Sequence, residues 1–156
     1  PGDIICTNDF LGTVDELNLR STQLRTPEGQ IIILPNASVL AKPITNMTML
    51  GVRRVDVPCS VSYADDLDKA QRVALEAIHS LPMLDPKRPV ELYYTEFDDS
   101  AINFQVRFWI SFHRQPEYLL ARSEAIKALT KAFRENGLTI PFPIRTLDFG
   151  VAGGEK

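Results

Sequence analysis

Six large apolar residues recur at every second position, Ile102, Phe104, Val106, Phe108, Ile110 and Phe112, with Asn103, Gln105, Arg107 and Trp109 between them. Strand side chains point alternately to two faces, so this period of two predicts one long strand with a dry side and a wet side. Such a strand needs a sheet around it and a layer packed over its apolar face. The preceding run, Val90 to Phe97, has strand character, and Asp98-Asp99-Ser100 between the two has turn chemistry. An antiparallel hairpin is the expected result.

The covering layer is legible on both sides of the hairpin. Asp65 is placed to cap a helix in which Leu67, Ala70, Ala74, Ile78 and Leu81 follow at helical spacing until Pro82 ends it, and Pro86 and Pro89 mark a loop. Pro116 opens a second helix with Leu119, Arg122, Ile126, Leu129 and Phe133 down one side and Asn136-Gly137 as its stop. Ahead of these, Val55, Val57, Cys59 and Val61 alternate with Arg54, Asp56, Pro58 and Ser60, a half-buried strand in which Pro58 argues for an edge or a bulge. Arg145 to Phe149 offers a last strand. From Val52 onward the order is β-α-β-β-α-β, the ferredoxin-like split βαβ arrangement, with two helices on one face of an antiparallel sheet.

The first third has a different texture of short strands and tight turns. Asp3 to Cys6, Gly12 to Leu19 and Thr22 to Thr26 read as strands, and Pro27-Glu28-Gly29 as a turn. Ile31 to Leu34 is continuously apolar, which implies burial on both faces, as in a small closed barrel. Pro35 has no N–H for a further ladder bond and stops the strand, Asn36 then caps a helical turn, and Ile44 to Asn46 is expected to close the barrel. The fold class is therefore β followed by α+β: a β-barrel domain over residues 1–51, a ferredoxin-like α/β domain over 52–149, and a frayed tail over 150–156.

The chain has 156 residues, 44% hydrophobic and 24% charged, which is a globular composition. A formal net charge of -3 provides no overall positive field for nucleic acid. No apolar run reaches the ~18 residues that cross a bilayer. The opening on Pro1-Gly2-Asp3, without an initiator methionine, reads as a piece of a longer protein. Cys6 and Cys59 have neither CxxC spacing nor a framework pattern, so free thiols are expected. His79 and His113 lack partners at metal-ligand spacing, and no glycine-rich phosphate loop occurs, so neither a metal nor a cofactor is expected. Asp65, Asp66 and Asp68 suit a helix start, and Asp98 and Asp99 a turn. Cys59 with His113 is imaginable as a nucleophile and base, yet Cys59 falls on the apolar face of its strand, the place of a structural thiol. No catalytic residue is assigned. Trp109 shares the wet face of its strand with Asn103, Gln105 and Arg107, which suits a protein contact better than base stacking.

Several stretches taken together carry more than their mechanics. "PGDII", "GTVDELNLRSTQLRTPEGQIIILPNASVL", "ITNMT" and "GLTIPFPIRTL" resemble, in order and at compatible spacing, the small-conductance mechanosensitive channel (MscS) family. The resemblance rests on Gly2 and Asp3, Gly12, Gly29, Pro35 and Asn36, Asn46, and the Pro141 and Pro143 of Ile-Pro-Phe-Pro. It implies that 1–51 is an Sm-like β-domain, followed by the ferredoxin-like domain. It further implies a homo-oligomer, a heptamer in the intact channel, forming a hollow cytoplasmic vestibule below a pore whose helices would precede Pro1. The implied protein is a non-enzymatic, tension-gated channel of the inner (plasma) membrane that passes ions and small solutes on osmotic downshock, with this region on the cytoplasmic side and no nucleic-acid partner. Two rivals stay open at this stage: a soluble RNA- or ligand-binding module, and an enzyme using Cys59 or the aspartates.

Overall fold

The structure is a computed structural model that describes residues 1–141. The chain begins with four antiparallel strands, β1 (Ile4–Thr7), β2 (Phe10–Leu17), β3 (Ser21–Arg25) and β4 (Ile31–Pro35). A short helix, α1 (Asn36–Leu40), and a two-residue strand, β5 (Thr45–Asn46), follow. The sheet order is β4-β3-β2-β1-β5. The turn between β1 and β2 holds Asn8 and Asp9 both at positive φ, 52° and 64°. This is the mirror-image hairpin turn whose twist suits flanking strands, and Asn and Asp tolerate it. The turn after β3 is closed by Gly29 N–H donating to Thr26 O at 3.0 Å and Thr26 N–H to Gln30 O at 2.8 Å. It needs Gly29, whose φ is +88°.

The expected closed barrel is not what these strands form. β5 pairs with β1, so β4 and β5 stand at opposite ends of an open sheet. The apolar run of β4 misled because it alternates after all: Leu34 is buried and Ile32 packs on the core, whereas Ile31 and Ile33 are 47% and 64% exposed. Ile5, Val14, Leu24, Leu34 and Val39 form the small core under this sheet.

The second body starts with the long strand β6 (Val52–Val61), followed by α2 (Leu67–His79), β7 (Glu91–Phe97), β8 (Ile102–Ser111) and α3 (Gln115–Glu135). The sheet order is β6-β8-β7, antiparallel throughout, with β8 in the middle. The alternation along β8 is realised as read: Phe104, Val106, Phe108 and Ile110 are fully buried, and the residues between them are half-buried on the other face. The expected strand over Arg145–Phe149, the tail over 150–156 and Pro143 lie outside the described residues.

Both helices pack on the apolar face of this sheet and on each other, forming the larger core. Ala70 and Ala74 of α2 and Ala121 and Ala125 of α3 are fully buried, small enough to let the helices approach closely. Two sequence expectations are corrected here. Asp66 caps α2, accepting from the N–H groups of Asp68 and Lys69, whereas Asp65 accepts from Thr139 N–H at 2.8 Å. On α3 the buried stripe is Ala121, Ala125, Leu129 and Phe133, and Leu119 and Ile126 face outward at 57% and 49% exposure. Large apolar residues marked the stripe one position off its axis, because the alanines that make the contact carry little hydrophobic signal. The end of α3 matches expectation: Gly137 is at φ +67° and Leu138 N–H donates to Phe133 O at 2.9 Å, a Schellman stop.

Candidate functional site

Apart from Pro141 beyond α3, the described residues singled out by sequence fall in three places: the entry strand, the β2–β3–β4 region and the open face of the second sheet. At the entry, Gly2 N–H donates to Val14 O, and Val14 N–H to Asp3 O, which ties the first residues to β2. The Asp3 carboxylate accepts from Thr48 Oγ1 at 2.8 Å and from Asn46 Nδ2 at 3.2 Å. Asn46 Oδ1 in turn accepts from the backbone N–H groups of Thr48 and Met49. Asp3, Asn46 and Thr48 are therefore one staple joining the start of the chain to the segment that leaves β5. The hydroxyl of Thr48, and after it the Asn46 amide, hold the Asp3 carboxyl below its ordinary value of 3.8 by stabilising the charged form. Thr48 was not singled out from the sequence. Its signal was local, since Asn46 and Thr48 sit two apart in a turn, but the Asp3 partner is 45 residues away.

In the second place, Gly12 lies where β2 crosses β3 closely. A Cβ there would meet Arg25 O at 2.9 Å and Leu24 Cβ at 3.1 Å. Pro35 ends β4 opposite Ser21 and directly precedes α1. Asn36 does not cap α1; it is the first residue of that helix, and the preceding Pro35 makes no side-chain cap bond. Its amide faces back instead. Nδ2 donates to Asn18 O at 3.0 Å and to Leu19 O at 3.2 Å, and Oδ1 accepts from the buried Thr22 hydroxyl at 2.8 Å. The physical reason is proximity: Asn36 N–H already bonds Arg20 O, so the side chain meets the carbonyls of the β2–β3 turn before any helical N–H. Pro141 is half-buried beyond α3.

The third place is the face of β6-β8-β7 opposite the helices. Trp109 has one face of its ring covered by the Arg88 guanidinium at 4.4 Å, and Arg88 pairs with Asp85. Arg107 lies over Tyr93, with Nη2 donating to Gln105, while its Nε is buried without a hydrogen-bond partner among the described residues. Arg54 and Asp56 form a two-pronged pair at 2.8 and 3.0 Å, which raises the Arg54 pKa. Tyr93 donates to Glu91, whose carboxylate pushes the phenol up. Aromatic rings and arginines gathered on one sheet face are the composition of a protein contact.

The remaining candidates for chemistry stay apart. Cys59 packs against the larger core, and burial raises its thiol pKa, which makes it a poor nucleophile. His79 and His113 are exposed, and Glu117 is spent on the backbone N–H groups of His113 and Arg114, which lower its pKa. Among the described residues no group of three or more His, Cys, Asp or Glu could hold a metal ion. Arg53 is a residue the sequence did not flag: its guanidinium lies between the rings of Tyr118, at 4.0 Å, and Phe112, at 4.9 Å. The β6–β8 register and the start of α3 bring these together, so no spacing in the sequence announces them.

Comparison with known proteins agrees along most of the chain. Residues 1–49 match the family model "Mechanosensitive ion channel, beta-domain", and residues 55–140 match "Mechanosensitive ion channel MscS, C-terminal". The chain is 31% identical over 141 residues to a small-conductance mechanosensitive channel of Helicobacter pylori, covering 90% of this chain and 51% of that protein. It is 27% identical over 139 residues to the small-conductance mechanosensitive channel MscMJ of Methanocaldococcus jannaschii, covering 87% of this chain and 39% of that one. The crystal structure of Helicobacter pylori MscS in a closed state superposes with a TM-score of 0.85 at 30% identity, over 98% of this chain and 59% of that chain. Arabidopsis thaliana MSL1 shares the fold, with a TM-score of 0.75 at 19% identity, over 90% of this chain and 52% of that one. The chain thus spans about half the length, or less, of the curated relatives it matches.

Proposed function

The chain belongs to the MscS family of mechanosensitive ion channels, and from that membership we propose that it is the cytoplasmic part of a tension-gated channel that releases ions and small solutes on osmotic downshock. The observation that carries this reading is the tiling of the chain, in order, by a channel β-domain and a channel C-terminal domain. No helix among the described residues is long and apolar enough to cross a membrane, so the pore and the tension sensor would be supplied by residues outside them. The role left to this chain is to hold the bases of pore helices in a ring and to screen what enters the pore, in an inner (plasma) membrane channel and on its cytoplasmic side.

In this reading residues 1–51 are an Sm-like β-domain and 52–149 a ferredoxin-like domain, with 150–156 as a tail. The sheet order β6-β8-β7 with α2 and α3 on one face supports the second assignment, because it supplies the first five elements of βαββαβ with the third strand central. A homo-oligomer, a heptamer by family, would use faces that an isolated chain leaves open. The Trp109–Arg107–Tyr93 face and the outward Ile31 and Ile33 of β4 are the surfaces that fit. Gly2, Asp3, Gly12, Gly29, Pro35, Asn36, Asn46, Pro141 and Pro143 would keep the frame in shape and perform no chemistry.

The test is the full-length protein carrying this chain, expressed in a bacterium stripped of its own mechanosensitive channels. Survival of sudden dilution and tension-activated currents in excised patches are expected. A protein that reaches the membrane and gives neither overturns the proposal.

A further inference from the structure

The two bodies are joined in a way that no role above uses. Hydrogen bonds of the first body close on themselves, through Asp3 with Asn46 and Thr48, Asn36 with Asn18, Leu19 and Thr22, and Asn8 with Ser38. The two cores share no residue. Among the described residues the bonded path from one to the other is a single turn: Gly51 N–H donates to Thr48 O at 2.8 Å, and Phe112 N–H to Gly51 O at 2.9 Å. Thr48 is pinned to the first body by Asp3 and Asn46, and Gly51 to the second by Phe112. Between these anchors Met49 and Leu50 are 79% and 81% exposed and belong to neither core.

A groove of about 410 Å³ is walled by both bodies. One wall is the outer face of the first sheet, with Ile4, Leu11 and Pro27; the other is the start of α3, with Pro116 and Leu119. The lining as a whole is mainly apolar, with Thr13, Arg25, Thr26 and Gln115 also contributing. We infer that the turn Thr48–Gly51 is a pivot on which the two bodies swing, closing this groove so that Pro116 and Leu119 seat on Leu11 and Pro27. The Gly51 N–H is held by Thr48 and its C=O by Phe112, and Met49 N–H is tied to Asn46, so rotation that breaks none of these bonds is confined to Gly51, a glycine at φ +66°, the arrangement of a hinge. Closing removes apolar surface from water, whereas opening breaks none of the bonds that hold either body together. The inference goes beyond the channel reading and holds for the chain alone, whether or not it assembles.

Distance measurements between paired spin labels test it in a background with Cys6→Ser and Cys59→Ala, checked for native circular dichroism. Labels at Glu28 and Lys131 report across the pivot, and labels at Arg72 and Lys131 report within the second body. The cross-pivot distribution is expected to be at least about twofold broader than the internal one, as a hinge requires. Oxidation of a Pro27→Cys, Leu119→Cys chain should give a cross-linked monomer whose yield is independent of protein concentration, and the cross-link should narrow the Glu28–Lys131 distribution. A cross-pivot distribution as narrow as the internal one overturns the pivot. A cross-linked dimer, or no cross-link, overturns closure within one chain.

Discussion

At Asn36 a single amide serves three partners, two backbone carbonyls and a buried hydroxyl, so its donors matter as much as its acceptor. Asn36→Ala is expected to cost about 1–2 kcal/mol, the range for losing such bonds with a partner left partly buried. Asn36→Asp should be at least as damaging at neutral pH, because a carboxylate would face the carbonyls of Asn18 and Leu19. That repulsion raises the folded pKa of the new acid, so the deficit should shrink as pH falls through it, which urea denaturation at a series of pH values would show. A mild Asp variant beside a damaging Ala one would restore a capping role. Asp3 titrates in the opposite sense. Its folded pKa lies below 3.8, so the stability it adds is fully present above that value and is lost as pH falls through the lowered pKa. Asp3→Asn should flatten this part of the acid unfolding curve, measured between about pH 5 and pH 2.

For the elements, what distinguishes a buried helix face is contact and not size. Ala125 of α3 is fully buried, while its neighbour Ile126 is 49% exposed. Ala125→Leu should force the two helices apart and cost about 1–3 kcal/mol, as overpacking does. Ile126→Gln should stay within about 0.5 kcal/mol in the isolated chain, the scale of surface changes. The opposite ranking in thermal unfolding would put the sequence-derived stripe back. β8 needs no such correction, because in a strand the face of each residue follows from parity alone, and a stripe of Phe104, Val106 and Phe108 leaves no doubt which parity is inside. In a helix the angular position drifts by 100° per residue, so a stripe of alanines flanked by Leu119 and Ile126 admits two readings.

The molecule as a whole is two cores on one chain. Leu24 is fully buried in the first and Phe108 in the second. Leu24→Ala should lower the stability of the first body by about 2–5 kcal/mol, and Phe108→Ala that of the second by about 3–5 kcal/mol. Because the cores share no residue, each substitution should move one calorimetric transition and leave the other in place, as independent sites do. A single transition displaced by both variants would mean that the bodies unfold as one.

The sequence by itself determined what is local or periodic. It settled the strand parity of Ile102 to Phe112, the turns at Gly29 and Asp98-Asp99, the stop at Asn136-Gly137, the order of the first five elements from Val52, and the family through motifs such as the Pro35-Asn36 pair. Those features depend on neighbours a few residues away, where backbone sterics and side-chain chemistry leave few options. Tertiary structure decided what depends on distant partners. Whether the first sheet closes turned on which strand the two residues of β5 would meet. The partners of Asn36 turned on where the β2–β3 turn lands, and those of Arg53 on the β6–β8 register. A run such as Ile31 to Leu34 carries the same hydrophobic signal whether both faces are covered or one. Only the arrangement of the other strands fixed that Ile32 and Leu34 face the core while Ile31 and Ile33 face out.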